Sequence, residues 1–125
     1  MTSIDIRNLD ESVPGYAEAV QRLDGQPELF REVASVFIED CPKNLEAIRE
    51  ALRQGDTEAV VFGAHKIKGA LGALGADPAR NAAWQLEMLC RDGELNKARQ
   101  QYPVLERCVS VLIPVLNKLI PQECR

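Results

Sequence analysis

From Pro27 onward apolar residues recur at spacings of three and four. Phe30, Val33, Phe37, Cys41, Leu45, Ile48 and Leu52 form one stripe along a helix that runs to Gly55. Pro42 removes the backbone bond to the Ile38 carbonyl, yet the stripe keeps its phase on both sides, so one bent helix is expected rather than two. Asp56 is placed to cap the next helix, whose stripe is Val60, Ala64, Ile67, Leu71 and Leu74, and Gly75 suits its left-handed stop. Asp77-Pro78 reads as a cap followed by a first-turn proline. It opens a helix with Ala79, Ala82, Leu86 and Leu89 inward, closed by Asp92-Gly93. The last stripe, Leu95, Ala98, Tyr102, Leu105, Val109, Leu112, Leu116 and Leu119, contains Pro103 and Pro114, which are expected to bend or split it. Ahead of these, after a polar lead over 1–13, Tyr16, Val20 and Leu23 predict a short helix near 14–24.

No Val/Ile/Thr-rich stretch alternates with period two for long enough to read as a strand. Connections of a few residues cannot span the length of a helix, so consecutive long helices must run antiparallel. The expected fold is therefore all-α, an antiparallel four-helix bundle with a short additional N-terminal helix, in one domain over 1–125.

Composition narrows the function classes. Nineteen Asp and Glu against fifteen Lys and Arg give a net charge of −4, without the basic excess that binding to a phosphate backbone needs. Nucleic acid is not an expected partner. No apolar run approaches the roughly 20 residues that cross a bilayer, so no membrane association is expected and a cytoplasmic location is. Cys41, Cys90, Cys108 and Cys124 lack CxxC spacing and read as free thiols. Neither a metal nor a cofactor is expected.

The chain has one histidine, His65. On a helical wheel it falls about 140° from the centre of the Val60–Leu71 stripe, on the solvent side, where a core histidine does not belong. Val61, Phe62, Gly69 and Gly72 share that outward face, with Lys68 at its flank. Exposed apolar residues beside the ring suggest a docking surface. A glycine in a helix interior costs about 1 kcal/mol relative to Ala, so something must favour Gly69, which lies one turn beyond His65 and leaves room beside the ring. Lys68, three residues on, is placed to pair with an anionic group held there, and a phosphoryl group matches the arrangement. An imidazole, with its ordinary pKa of about 6.5, keeps a nitrogen lone pair available for attack near pH 7. The residues alone indicate a nucleophile or anion site on a helix face and do not identify its reaction.

The stretch Ala64-His65-Lys66-Ile67-Lys68-Gly69-Ala70-Leu71-Gly72-Ala73-Leu74-Gly75-Ala76 closely resembles the AHxLKG…LGA motif of histidine phosphotransfer (HPt) domains. The pattern extends to Phe30 through Asp56, whose FxED-P segment and Gly-Asp turn resemble the family's preceding helix and loop. The resemblance implies that His65 accepts a phosphoryl group from one receiver-domain aspartate and passes it to another. By the same resemblance Lys68 offsets phosphate charge and Gly69 admits the phosphate. Glu87, twenty-two residues beyond His65, falls where the family often carries a Glu or Gln that hydrogen-bonds the imidazole. The wheel sets Glu87 on the flank of its helix, which permits that contact; a solvated surface carboxylate is the lesser alternative.

The resemblance further implies that receiver domains of response regulators or hybrid kinases are the partners, and that they supply the acidic pocket and Mg²⁺. This chain would then be a monomeric phosphocarrier rather than an enzyme, without autokinase activity, and it shows no glycine-rich nucleotide loop. Docking is expected to use Val61, Phe62, Lys66 and Gly72. Two other classes remain open at this point: an unphosphorylated helical adaptor using the same face, and a metal-binding bundle. The latter is disfavoured by a single histidine and the lack of Glu-x-x-His pairs.

Overall fold

A computed structural model describes residues 27–119; the expected helix at 14–24 and Cys124 lie outside them. Four helices follow one another: α1 (Pro27–Gln54), α2 (Thr57–Ala73), α3 (Asp77–Arg91) and α4 (Leu95–Leu119). Each packs against its sequence neighbours, and α4 returns to α1, closing a ring around one core. The antiparallel arrangement is visible at the two ends of the α1–α4 pair. Arg31 near the start of α1 donates to the carbonyl of Leu119 (3.0 Å), while Arg99 early in α4 donates twice to that of Leu52 (3.0 and 2.9 Å). Both arginines add donors to carbonyls in the last turn of a helix, that of Leu52 also accepting from the Gly55 N–H at 3.2 Å.

The three connections share one device. Gly55, Gly75 and Gly93 take φ of 76°, 70° and 76°, and the next residue's N–H reaches back five residues, to Ala51, Leu71 and Leu89 respectively (2.9, 3.0 and 2.8 Å). Only glycine enters that left-handed region without cost, so the sequence fixes where each helix stops. Asp56 caps α2 as expected, accepting from the Ala59 N–H at 3.1 Å. The start of α3 differs by one residue. Ala76 is the cap and makes no side-chain cap bond, while Asp77 is already helical. The tie from Ala76 N–H to Leu71 brings the chain into position a residue early, and Asp77 instead places its charge in the first turn, where it complements the helix dipole.

All three internal prolines are accommodated within unbroken helices. Pro42, Pro103 and Pro114 are each exposed, so the carbonyl that each leaves unbonded lies towards water. α4 is therefore not split. The core is formed by the predicted stripes, with Phe30, Ile48, Val60, Ile67, Leu71, Leu86, Leu105 and Leu116 almost completely enclosed. α1 and α2 approach closely at Gly63, where a Cβ would stand 2.7 Å from Cγ1 of Ile48. Cys41 and Cys90 are buried and Cys108 half-buried, all as free thiols, and burial pushes the Cys41 thiol up to about 11.

Tyr102 joins α4 to α1 by donating its hydroxyl to the Leu45 carbonyl at 3.1 Å. Tyr102→Phe removes this part-buried hydroxyl, which also lies 3.5 Å from Glu106 Oε2, and leaves the ring's packing intact. The expected loss is about 1 kcal/mol, roughly a 4–8 °C fall in Tm for a domain of this size. Thermal unfolding followed by circular dichroism checks it, and an unchanged Tm would show that the bond contributes nothing.

Candidate functional site

The site forms where the flank of α2 meets the flank of α3. His65 stands halfway along α2 with its side chain 65% exposed, as the wheel predicts, because Val60, Ala64, Ile67 and Leu71 occupy the opposite face. Glu87 projects from α3 beneath it. Its side chain is only 4% exposed, making it the one charged residue buried among those described. The flank position from the wheel was right, but the carboxylate is not solvated: α2 covers it.

Three basic groups meet that carboxylate. His65 Nδ1 lies 3.3 Å from Oε2, Arg91 approaches the same oxygen with Nε at 3.1 Å and Nη2 at 2.8 Å, and Lys68 Nζ sits 3.0 Å from Oε1. The lysine contact is a close ion pair without the alignment of a directed hydrogen bond. Burial alone pushes the Glu87 carboxyl up; the bonds from Arg91, the adjacent Lys68 ammonium and the contact with His65 together outweigh it and hold the group below the usual carboxylate range. A carboxylate depressed in this way contributes stability above its unfolded pKa and loses it only as pH falls through the lower folded value, so it is ionised at neutral pH. An ionised carboxylate only accepts, hence Nδ1 carries a proton and Nε2 points away from the buried acid.

The remaining expected residues divide by flank. Gly69, one turn from the ring, is open, and a Cβ there would meet no atom within 4 Å. A Cβ at Gly72 would stand 3.2 Å from the Arg80 side chain of α3. Phe62 is 73% exposed, whereas Val61 is half-buried and packs on the core. Lys66 is exposed on the other flank of α2, bordering an apolar groove of about 370 Å³ shared with Val36 and Phe37 of α1. Lys66 and Lys68 thus stand on opposite sides of the ring, and only Lys68 reaches Glu87.

Two features escaped the sequence reading. Arg91 lies four residues after Glu87, an acid-then-base spacing that pairs on one helix and would have found it. Trp84, one turn before Glu87, is an exposed aromatic that a wheel centred on the α3 stripe would have placed outward. No group of three His, Cys, Asp or Glu able to hold a metal exists among the described residues, and no helix among them is long and apolar enough to cross a membrane.

The Hpt domain family model matches residues 32–113. The chain is also similar to the phosphorelay intermediate protein rdeA of Dictyostelium discoideum, 26% identical over 94 residues that cover 75% of this chain and 37% of that protein. The chain thus spans little more than a third of that relative's length. No solved structure matches. With most of α1, all of α2 and α3 and most of α4 inside the matched region, this chain belongs to the Hpt domain family.

Proposed function

We propose that this chain carries a phosphoryl group between receiver-domain aspartates on Nε2 of His65. The observation that carries the reading is an exposed imidazole whose Nδ1 is held by a buried, ionised carboxylate. The Nε2 lone pair attacks the phosphorus of an aspartyl phosphate, the bond from phosphorus to the aspartate oxygen breaks, and its electron pair returns to that carboxylate. The ring keeps its Nδ1 proton and becomes cationic as the N–P bond forms. Glu87 lies where that positive charge develops, so it stabilises the product and fixes the ring's orientation. The reverse step discharges the group to a second receiver.

Lys68 neutralises part of the phosphoryl charge, and the gap at Gly69 admits the group. Phe62, one turn before His65 on α2, and Trp84, one turn before Glu87 on α3, are exposed and supply apolar anchors for a receiver, with Lys66 and Gly72 on α2 as further docking residues. The receiver brings the acidic pocket and its metal ion, which is why no nucleotide loop is needed here. The protein acts as a cytoplasmic monomer with no kinase step of its own.

The test is incubation with a panel of phosphorylated receiver domains, following acid-labile label on the chain. Label on His65 is expected, and none with ATP alone. Binding without label would leave an adaptor in place of a carrier. Lys68→Ala is expected to slow transfer about tenfold while changing receiver affinity less than about threefold, because the lysine acts on the transferring charge more than on the encounter. Rapid-quench transfer and titration of the same receiver separate the two, and an equal loss in both would reassign Lys68 to docking.

A further inference from the structure

Glu87 is served by two cations that differ in how they are held. Arg91 is on the carboxylate's own helix, one turn away, and both its contacts go to Oε2, so α3 alone fixes that pair. Lys68 comes from α2 on a flexible four-carbon stem and meets Oε1 through Nζ alone, without a directed hydrogen bond, although its side chain is less exposed than that of Arg91 (22% against 51%). By number and alignment of contacts it is the looser partner. It is also one turn from His65 on the same helix, within reach of a group carried on that ring.

We propose that Arg91 is a positioning residue, the standing counter-ion of Glu87, whose hold on the buried carboxylate releases Lys68 to follow the phosphoryl group onto and off His65. This rests on the reading of His65 as the phosphoryl carrier. The charges require such a division. A dianionic phosphoryl group on Nε2 draws Lys68 away from Oε1, and a carboxylate this deeply covered is costly to leave without a cation. Arg91 stays, Glu87 remains ionised, and the ring keeps the anion that its own positive charge needs. The charged groups linked to the ring are Glu87, which it meets directly, and Arg91 and Lys68 through that carboxylate; Lys66 follows it on its own helix, and no charged group of α1 is paired with it. Without Arg91, Lys68 becomes the carboxylate's principal cation and is retained there.

Two measurements on the full chain decide this. The first compares transfer from a phosphorylated receiver to the unaltered chain, Arg91→Gln, Lys68→Ala and the double variant. Each single change is expected to slow transfer about tenfold, and the double to be about as slow as either, because both act on one step. Multiplication of the two losses, or an unchanged rate in Arg91→Gln, overturns the proposal. Arg91→Lys, which keeps the charge but not the two-pronged grip, should recover part of the rate. The second is NMR of the Lys68 ammonium, which needs no transfer. Its proton exchange with water should slow in Arg91→Gln as Glu87 retains it, and unchanged exchange also overturns the proposal. A chain that accepts no phosphoryl group from any receiver fails the carrier reading instead, and the NMR result then still decides whether Arg91 governs the hold of Glu87 on Lys68.

Discussion

His65→Gln should abolish phosphoryl labelling completely while leaving the fold and receiver docking nearly unaltered. The ring contributes almost nothing to the core. It is 65% exposed, and its one polar contact, at 3.3 Å to Glu87, is the longest of the four on that carboxylate. Gln keeps an amide donor for Oε2 and fits a helix well, so stability should move by no more than about 0.5 kcal/mol, the range of ordinary surface substitutions. What is lost is the nucleophile. An amide nitrogen has its lone pair delocalised into the carbonyl and cannot form the N–P bond, and no second histidine is present to substitute for it. Label retention on acid treatment, thermal unfolding and receiver titration on one preparation check all three expectations. A Tm lowered by many degrees would mean that the imidazole supports the bundle, and persisting label would move the acceptor elsewhere.

Much of this arrangement was legible in the sequence because helix periodicity and glycine chemistry are local. The stripes of α1 to α4 gave the buried faces, and the left-handed positions at Gly55, Gly75 and Gly93 gave the stops. The outward direction of His65 followed from its wheel position alone. What a wheel lacks is depth. It placed Glu87 on a flank, but whether a flank is wet depends on how closely the next helix lies over it. On α3 that distance is set by small residues, Ala79, Ala82 and Ala83, all buried. The same limitation concealed the partner of Lys68, which the sequence assigned to an incoming anion and which in the unphosphorylated chain sits against Glu87. Val61 is half-buried for a similar reason, lying beside Cys90 and Arg91 on the α3 side of α2. Pro42 stands inside one continuous helix as the unbroken stripe predicts, and of the two outcomes expected for Pro103 and Pro114 splitting does not occur, because the cost is small where the freed carbonyl faces solvent.

The two mid-helix glycines of α2 should respond to substitution with opposite signs. At Gly63 a methyl group collides with Ile48 Cγ1 at 2.7 Å, a branched side chain held in the core that has no room to withdraw. Overpacking costs about 1–3 kcal/mol, and a contact this short against a buried side chain falls in the upper part of that range, beyond the roughly 1 kcal/mol that Ala returns in helix propensity, so Gly63→Ala should lower Tm. At Gly69 nothing lies within 4 Å, and Gly69→Ala should raise stability by about 1 kcal/mol, roughly 4–8 °C in Tm. No packing reason therefore exists for glycine at 69, and the stability forgone must answer to something that arrives from outside. One turn from Nε2, the proposed carrier role supplies it: the phosphoryl group and the receiver bearing it. A longer side chain makes the trade visible. Gly69→Gln should keep most of the stability gain yet slow transfer about a hundredfold, because a misplacement of the reacting atoms by about 1 Å is enough for a loss of that size. Transfer at the unaltered rate in a stabilised Gly69→Gln chain would show that the open patch beside the ring is not used, and the route of approach to His65 would then have to lie along the Phe62 side of the helix.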